Sequence, residues 1–102
     1  MSVAVNDFAI EKAWRIVFSK KYCHRLSPLQ KLLLLTLSGL VPKGEPGVWV
    51  SNEVLGERAG VHPRGCLPRL KARLKELGLI KIERKGRASF YRLPYLEADG
   101  DF

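Results

Sequence analysis

SNEVLGERAGVHPRGCLPRLKARLKELG, residues 51–78, holds two helical patterns separated by a turn. Ser51 is a capping residue for a short helix over Asn52–Ala59, because a serine oxygen can accept from the orphan amides of a first turn. Gly60 terminates that helix, since glycine takes the left-handed conformation at little cost. Leu67, Leu70, Leu74 and Leu77 then recur three, four and three apart, one apolar stripe of a second helix ending at Gly78. Pro68 limits where this helix can begin, because a proline in a helix interior costs about 3 kcal/mol and removes a donor. The sequence therefore predicts a turn from Val61 to Gly65 or Cys66 that contains His62-Pro63, with Pro68 in the first helical turn.

Downstream, residues 79–84 and 88–93 read as two strands around Lys85-Gly86-Arg87, a hairpin with a basic tip. Upstream, Pro42-Lys43-Gly44-Glu45-Pro46-Gly47 is turn chemistry, and Val48-Trp49-Val50 suffices for a short strand. Ser27-Pro28-Leu29-Gln30 provides a capping serine, a proline at the first helical position and a glutamine three residues after the cap. The helix it starts, residues 28–38, is apolar almost all round through Leu29, Leu32, Leu33, Leu34, Leu35 and Leu37, and is expected at the centre of the core. Asn6 or Asp7 can cap a first helix over residues 7–20 with Ile10, Ala13, Trp14 and Val17 on one face. Trp14, Trp49, Phe90 and Tyr91 are expected as core aromatics rather than base-stacking platforms. Residues 1–25 form an N-terminal extension, residues 26–95 the main domain, and residues 96–102 an acidic, frayed tail.

This order of elements resembles a winged helix-turn-helix. Leu55-Gly56-Glu57-Arg58-Ala59-Gly60-Val61 looks like the second helix and turn of the motif, where a small residue permits close crossing. Leu77-Gly78-Leu79-Ile80 resembles the exit into the wing, and Phe90-Tyr91-Arg92-Leu93 its return strand. With Leu26-Ser27-Pro28 and Trp49-Val50-Ser51, the pattern is similar to bacterial helix-turn-helix domains of phage and plasmid replication proteins and small transcriptional regulators. It covers residues 26–94, and the order and spacing of the motifs carry it. The fold class this implies is α+β, mostly helical: a winged helix-turn-helix with an extra N-terminal helix and a C-terminal β-hairpin wing.

The resemblance implies that the helix after Gly60 enters the major groove of double-stranded DNA while the hairpin tip lies along the backbone or in a minor groove. Opposite the leucine stripe lie Gly65, Arg69 and Ala72, with Arg64 and Arg73 flanking. Small residues around one long base leave Arg69 to reach a guanine edge. Lys71 and Lys75, nearer the core boundary, suit phosphates, as do Arg84, Lys85 and Arg87 at the tip. Ser51 and Asn52, at the start of the preceding helix, complete the candidate contact set. The longer turn that Pro68 imposes makes Arg64 project from a loop.

Charge supports a polyanionic partner. The chain of 102 residues carries a net +8, but from Arg58 to Arg92 there are eleven bases against two acids, and the remainder is close to neutral. Bases set against phosphates release counterions, whereas solvated charges are the ordinary alternative for any single one of them. The N-terminus lacks a basic start and an apolar run, and the most apolar stretch, Leu32 to Val41, is ten residues, against roughly 20 for a bilayer span. A cytoplasmic protein with no membrane partner is expected. Cys23, His24, His62 and Cys66 could formally make a zinc site, but adjacent Cys23-His24 is poor ligand spacing, and buried thiols are the usual state of such cysteines. No metal, cofactor or small-molecule ligand is expected. Without a phosphate-binding glycine loop, nucleophile elbow or metalloprotease helix, neither is an enzyme.

The function expected is therefore sequence-specific binding of double-stranded DNA by a bacterial, phage or plasmid transcriptional regulator or replication factor. The alternative is a winged-helix protein-protein interaction adaptor whose basic face only solubilises. The first helix, with Ile10, Trp14 and Val17 beside Phe8 and Phe18, can either mediate a homodimer or pack on the helix that starts at Pro28.

Overall fold

In the computed structural model, which describes residues 6–86 and 88–97, the capping signals set the helices. In chain order the elements are α1 (Asp7–Val17), α2 (Pro28–Leu40), β1 (Gly47–Ser51), α3 (Asn52–Ala59), α4 (Leu67–Glu76), β2 (Lys81–Lys85), β3 (Ala88–Arg92) and a short 3-10 turn (Pro94–Leu96). The architecture is α+β. The helices of 11, 13, 8 and 10 residues outweigh three strands of 5 residues each.

At α2, the Ser27 hydroxyl accepts from the Gln30 amide and the Gln30 side chain accepts from the Ser27 amide, closing a capping box. The helix outlasts the expected Ser38 by two residues and ends where Pro42 forces Val41 into an extended conformation. Leu33, Leu34 and Leu37 are fully buried, whereas Leu29 and Leu32 stand exposed, so α2 is central without being enclosed on all sides.

Helix α1 starts from Asn6, whose side chain accepts from the Ala9 amide and donates to the Val41 carbonyl. It ends at Val17, three residues early, because the Ser19 hydroxyl donates to the Ile16 carbonyl and accepts from the Tyr22 amide, turning the chain. Its buried stripe is Ala9, Ala13, Ile16 and Val17. Trp14 therefore lies outside, 55% exposed, contrary to its expected place in the core. Two alanines on the inner face let α1 sit close to α2, and one continuous buried cluster runs from Ala13 through Leu74 to Tyr91 and Tyr95.

The sheet order is β1-β3-β2, antiparallel throughout. Val48 and Val50 of β1 and Ser89 and Tyr91 of β3 face the helices. Period-two alternation then puts Trp49 outside, 52% exposed, with Phe90 half-buried beside it on the same outer face, so neither joins the expected aromatic core and only Tyr91 of the four does. The strands expected over 79–84 and 88–93 are shorter because Leu79 and Ile80 are buried between α4 and β2. They are held there by a paired closure of α4, in which the Gly78 amide donates to the Lys75 carbonyl and the Leu79 amide to the Leu74 carbonyl. Gly78 takes φ +75°, as this closure requires.

The start of the expected tail is attached: Leu96 packs on the core and Glu97 pairs with Arg92 at 3.0 Å. The remaining tail residues, 98–102, lie outside the described residues, as does Arg87. Among the described residues no helix is long and apolar enough to cross a membrane.

Candidate nucleic-acid interface

The candidate surface is built on the α3–turn–α4 segment. Ser51 caps α3 as expected, its hydroxyl accepting from the Val54 amide at 3.2 Å. Gly56 allows the turn to close against α3, since a Cβ there would stand 2.8 Å from the Val61 carbonyl oxygen and 3.2 Å from Pro63. Gly60 ends α3 in the left-handed conformation. The loop of residues 61–66 is organised by His62, whose Nδ1 accepts from both the Arg64 and Gly65 amides at 3.2 Å. Pro68 falls in the first turn of α4, where the sequence places it.

Leu67, Leu70 and Leu74 bury one side of α4. Arg69, Ala72 and Lys75 stand exposed on the other, so Lys75 is farther from the core boundary than expected. Arg64 and Gly65 are exposed on the preceding loop. Arg73, by contrast, turns back: it pairs with Glu76 at 3.1 Å and reaches the Arg25 carbonyl at 3.5 Å.

Lys71 is held inward by a three-element junction. Its Nζ donates to Asn52 Oδ1 of α3 at 2.7 Å and to the Tyr91 hydroxyl of β3 at 2.9 Å, while that hydroxyl reaches Asn52 Oδ1 at 3.3 Å. Partial burial pushes the Lys71 ammonium below its ordinary pKa, and the nearby Arg84 guanidinium pushes it further the same way. Burial raises the Tyr91 phenol, outweighing its bond with Ser89 and the Arg84 charge. Arg84 thus lies close enough for its charge to act on both groups of the junction.

The expected contact residues consequently divide. Arg64, Arg69, Lys75, Arg84 and Lys85 are exposed, and among the described residues none has an ion-pair partner. The oxygens of Ser51 and Asn52 serve a cap and the junction, and Lys71 serves the junction. Sequence reasoning assigned His62 to the turn without seeing its role as acceptor. A histidine two and three residues before the amides it caps is the signal that could have revealed it. The Tyr91 hydroxyl at the junction left no such signal.

Cys66 is exposed and Cys23 half-buried, so neither is the enclosed thiol that the sequence suggests. Among the described residues no three histidine, cysteine or acidic side chains converge as a metal site. No family model matches the chain, and neither the curated proteins nor the solved structures give a match.

Proposed function

We propose that this chain binds double-stranded DNA sequence-specifically, with α4 in the major groove and the β2–β3 hairpin acting as a wing against the backbone. The reading is of a winged helix-turn-helix serving as a transcriptional regulator or replication factor of a bacterium, phage or plasmid. The observation that carries it is the crowding of cations where α4 meets the hairpin. Arg64, Arg69 and Lys75 around α4 and Arg84 and Lys85 of the hairpin are all exposed, and no described acid pairs with any of them. Like charges held together by a fold are unfavourable alone, and a phosphate backbone relieves them. Arg69 then points outward between small neighbours, with a planar fork suited to the N7 and O6 of guanine.

Selecting bound sequences from a random duplex pool, followed by Arg69→Ala on the selected site, tests this reading. The substitution is expected to weaken the selected site by about 1–3 kcal/mol and to relax preference at one base pair. Equal loss on every duplex would make Arg69 a phosphate anchor, and failure to enrich any duplex would remove the reading.

A second reading, a protein-protein adaptor, is favoured by one observation. Trp14 of α1 and Phe18 just after it pack at a tilt on the outside, with ring centroids 4.4 Å apart and both about half exposed, and Lys31 of α2 lies over the Phe18 ring. A homodimer through α1 would use this shoulder, although Val17 is enclosed in the chain's own core and unavailable to it. Complex formation insensitive to added salt would favour the adaptor over DNA.

A further inference from the structure

The outer face of the sheet carries an organised set of side chains that the α4 surface does not use. The strand register puts Trp49, Phe90 and Glu83 in one row across β1, β3 and β2. Trp49 and Phe90 lie with ring centroids 5.1 Å apart. The Phe90 ring reaches across to Gly47, where a Cβ would stand 2.9 Å from it and closer still to the Tyr91 carbonyl oxygen, so the glycine leaves room for the β3 backbone and for the ring alike. Phe90 is half-buried, while Trp49 beside it stays open to solvent.

Bases surround this pair. Lys81 and Lys85, on the same face of β2 and about 13 Å apart at 3.3 Å per residue, straddle the aromatic row, and Arg92 stands opposite Lys81. Among the strand residues of this face Glu83 is the one acid, and the Glu97 carboxylate reaches its edge through Arg92. Lys81 and Lys85 have no described ion-pair partner, while Arg92 is engaged with Glu97.

We propose that this face binds single-stranded nucleic acid, with unpaired bases stacking on Trp49 and Phe90 and phosphates passing along Lys81 and Lys85. A large open aromatic offers a π-face to any base, and flanking cations attract the backbone. The occupant is unpaired because bases inside a duplex already stack on their neighbours and show the protein only their edges. No α4 side chain takes part here, and Lys85 of the hairpin is the one residue this face shares with the proposed duplex surface.

The test uses the full chain carrying Trp14→Phe, so that tryptophan emission reports Trp49 alone. Titration with 12-nucleotide oligothymidylate or oligouridylate is expected to quench that emission, with labelled-oligonucleotide anisotropy giving the affinity. Comparing the two oligomers separates DNA from RNA as the source of the same chemistry. Trp49→Ala, in the otherwise natural chain, should weaken single-strand binding roughly five- to 150-fold. It should leave binding to the selected duplex unchanged, whereas Arg69→Ala should do the reverse. Trp49→Phe, which keeps a stacking ring, should restore most of the affinity and guards against a folding defect. The proposal is overturned if neither oligomer binds, if binding occurs without quenching, or if Trp49→Ala binds both oligomers like the parent. It is likewise overturned if Trp49→Ala changes only self-association, which would make the face a protein contact.

Discussion

The Tyr95 hydroxyl is enclosed against the Ser38 hydroxyl, and burial drives its pKa far above the ordinary tyrosine value. An unfolded tyrosine deprotonates near pH 10, so above that pH the folded chain holds more protons than the unfolded one. The contribution is fully present below about pH 10 and is lost as pH rises beyond it. Tyr91, also raised, acts in the same direction. Lys71 opposes them: its folded pKa is lowered, so the penalty on its charge is relieved as pH climbs toward about 10.5. Comparing Tyr95→Phe with the natural chain therefore isolates Tyr95. The variant should lose about 1 kcal/mol at neutral pH with the Ser38 bond, and its melting temperature should fall less steeply above pH 10. Parallel melting curves against pH would show that Tyr95 ionises equally in both states. Gly56 gives a second expectation at this scale. Because a Cβ would crowd the Val61 carbonyl and Pro63 together, Gly56→Ala should destabilise by about 1–3 kcal/mol in denaturant titration; a neutral result would mean that the turn yields without strain.

At the level of elements, the loop before α4 and the hairpin after it frame the proposed DNA surface. His62 holds the loop with two hydrogen bonds to backbone amides. In His62→Ala, amide exchange at Arg64 and Gly65 should quicken about fivefold, the equivalent of about 1 kcal/mol for a hydrogen bond, while amides inside α4 stay protected. Uniform quickening along α4 would show instead that the loop supports the whole helix. In the hairpin, alternation sends neighbouring bases to different sides. Arg84 lies on the α4 side, where its charge reaches Lys71 and Tyr91, and Lys85 lies on the outer face of the sheet. Replacing Arg84, Lys85 and Arg87 with alanine should weaken all duplexes alike and lower the salt slope by about 0.9 for each phosphate contact removed. An unchanged slope would place the backbone contacts elsewhere.

For the whole molecule, α1 shares the core with everything that follows it. Ala9, Ala13 and Val17 are fully buried, Asn6 bonds to the end of α2, and Lys12 reaches the Tyr95 carbonyl at 3.4 Å. A chain shortened to residues 26–102 would leave the matching faces of α2 and of the segment around Tyr95 in water. It should lose its cooperative thermal transition and the dispersion of its amide proton spectrum. A truncated chain that melts cooperatively and keeps that dispersion would make α1 an accessory to a self-sufficient domain.

The amino-acid sequence by itself determined the elements whose signals are local. Ser27 with Gln30, Ser51, Gly60 and Gly78 mark helix ends through bonds or backbone angles made within a few residues, and each did so in the fold. The leucine stripe of α4 was legible for the same reason, and Pro68 correctly displaced the start of that helix. Which side of α1 faces inward was decided by tertiary structure. Its sequence offers apolar residues on both sides of Ala13, and close approach to α2 selects the side with small residues. Trp49 was legible in principle, because valines on either side must share the opposite face; its hydrophobicity alone argued for the core. The Lys71–Asn52–Tyr91 junction and the Ser38–Tyr95 pair had no sequence signature, since their members lie 19 to 57 residues apart. Only the packing of α3, α4 and β3, and of α2 against the chain's last turn, brings such polar groups within bonding distance, where partial or full burial makes leaving them unpaired costly.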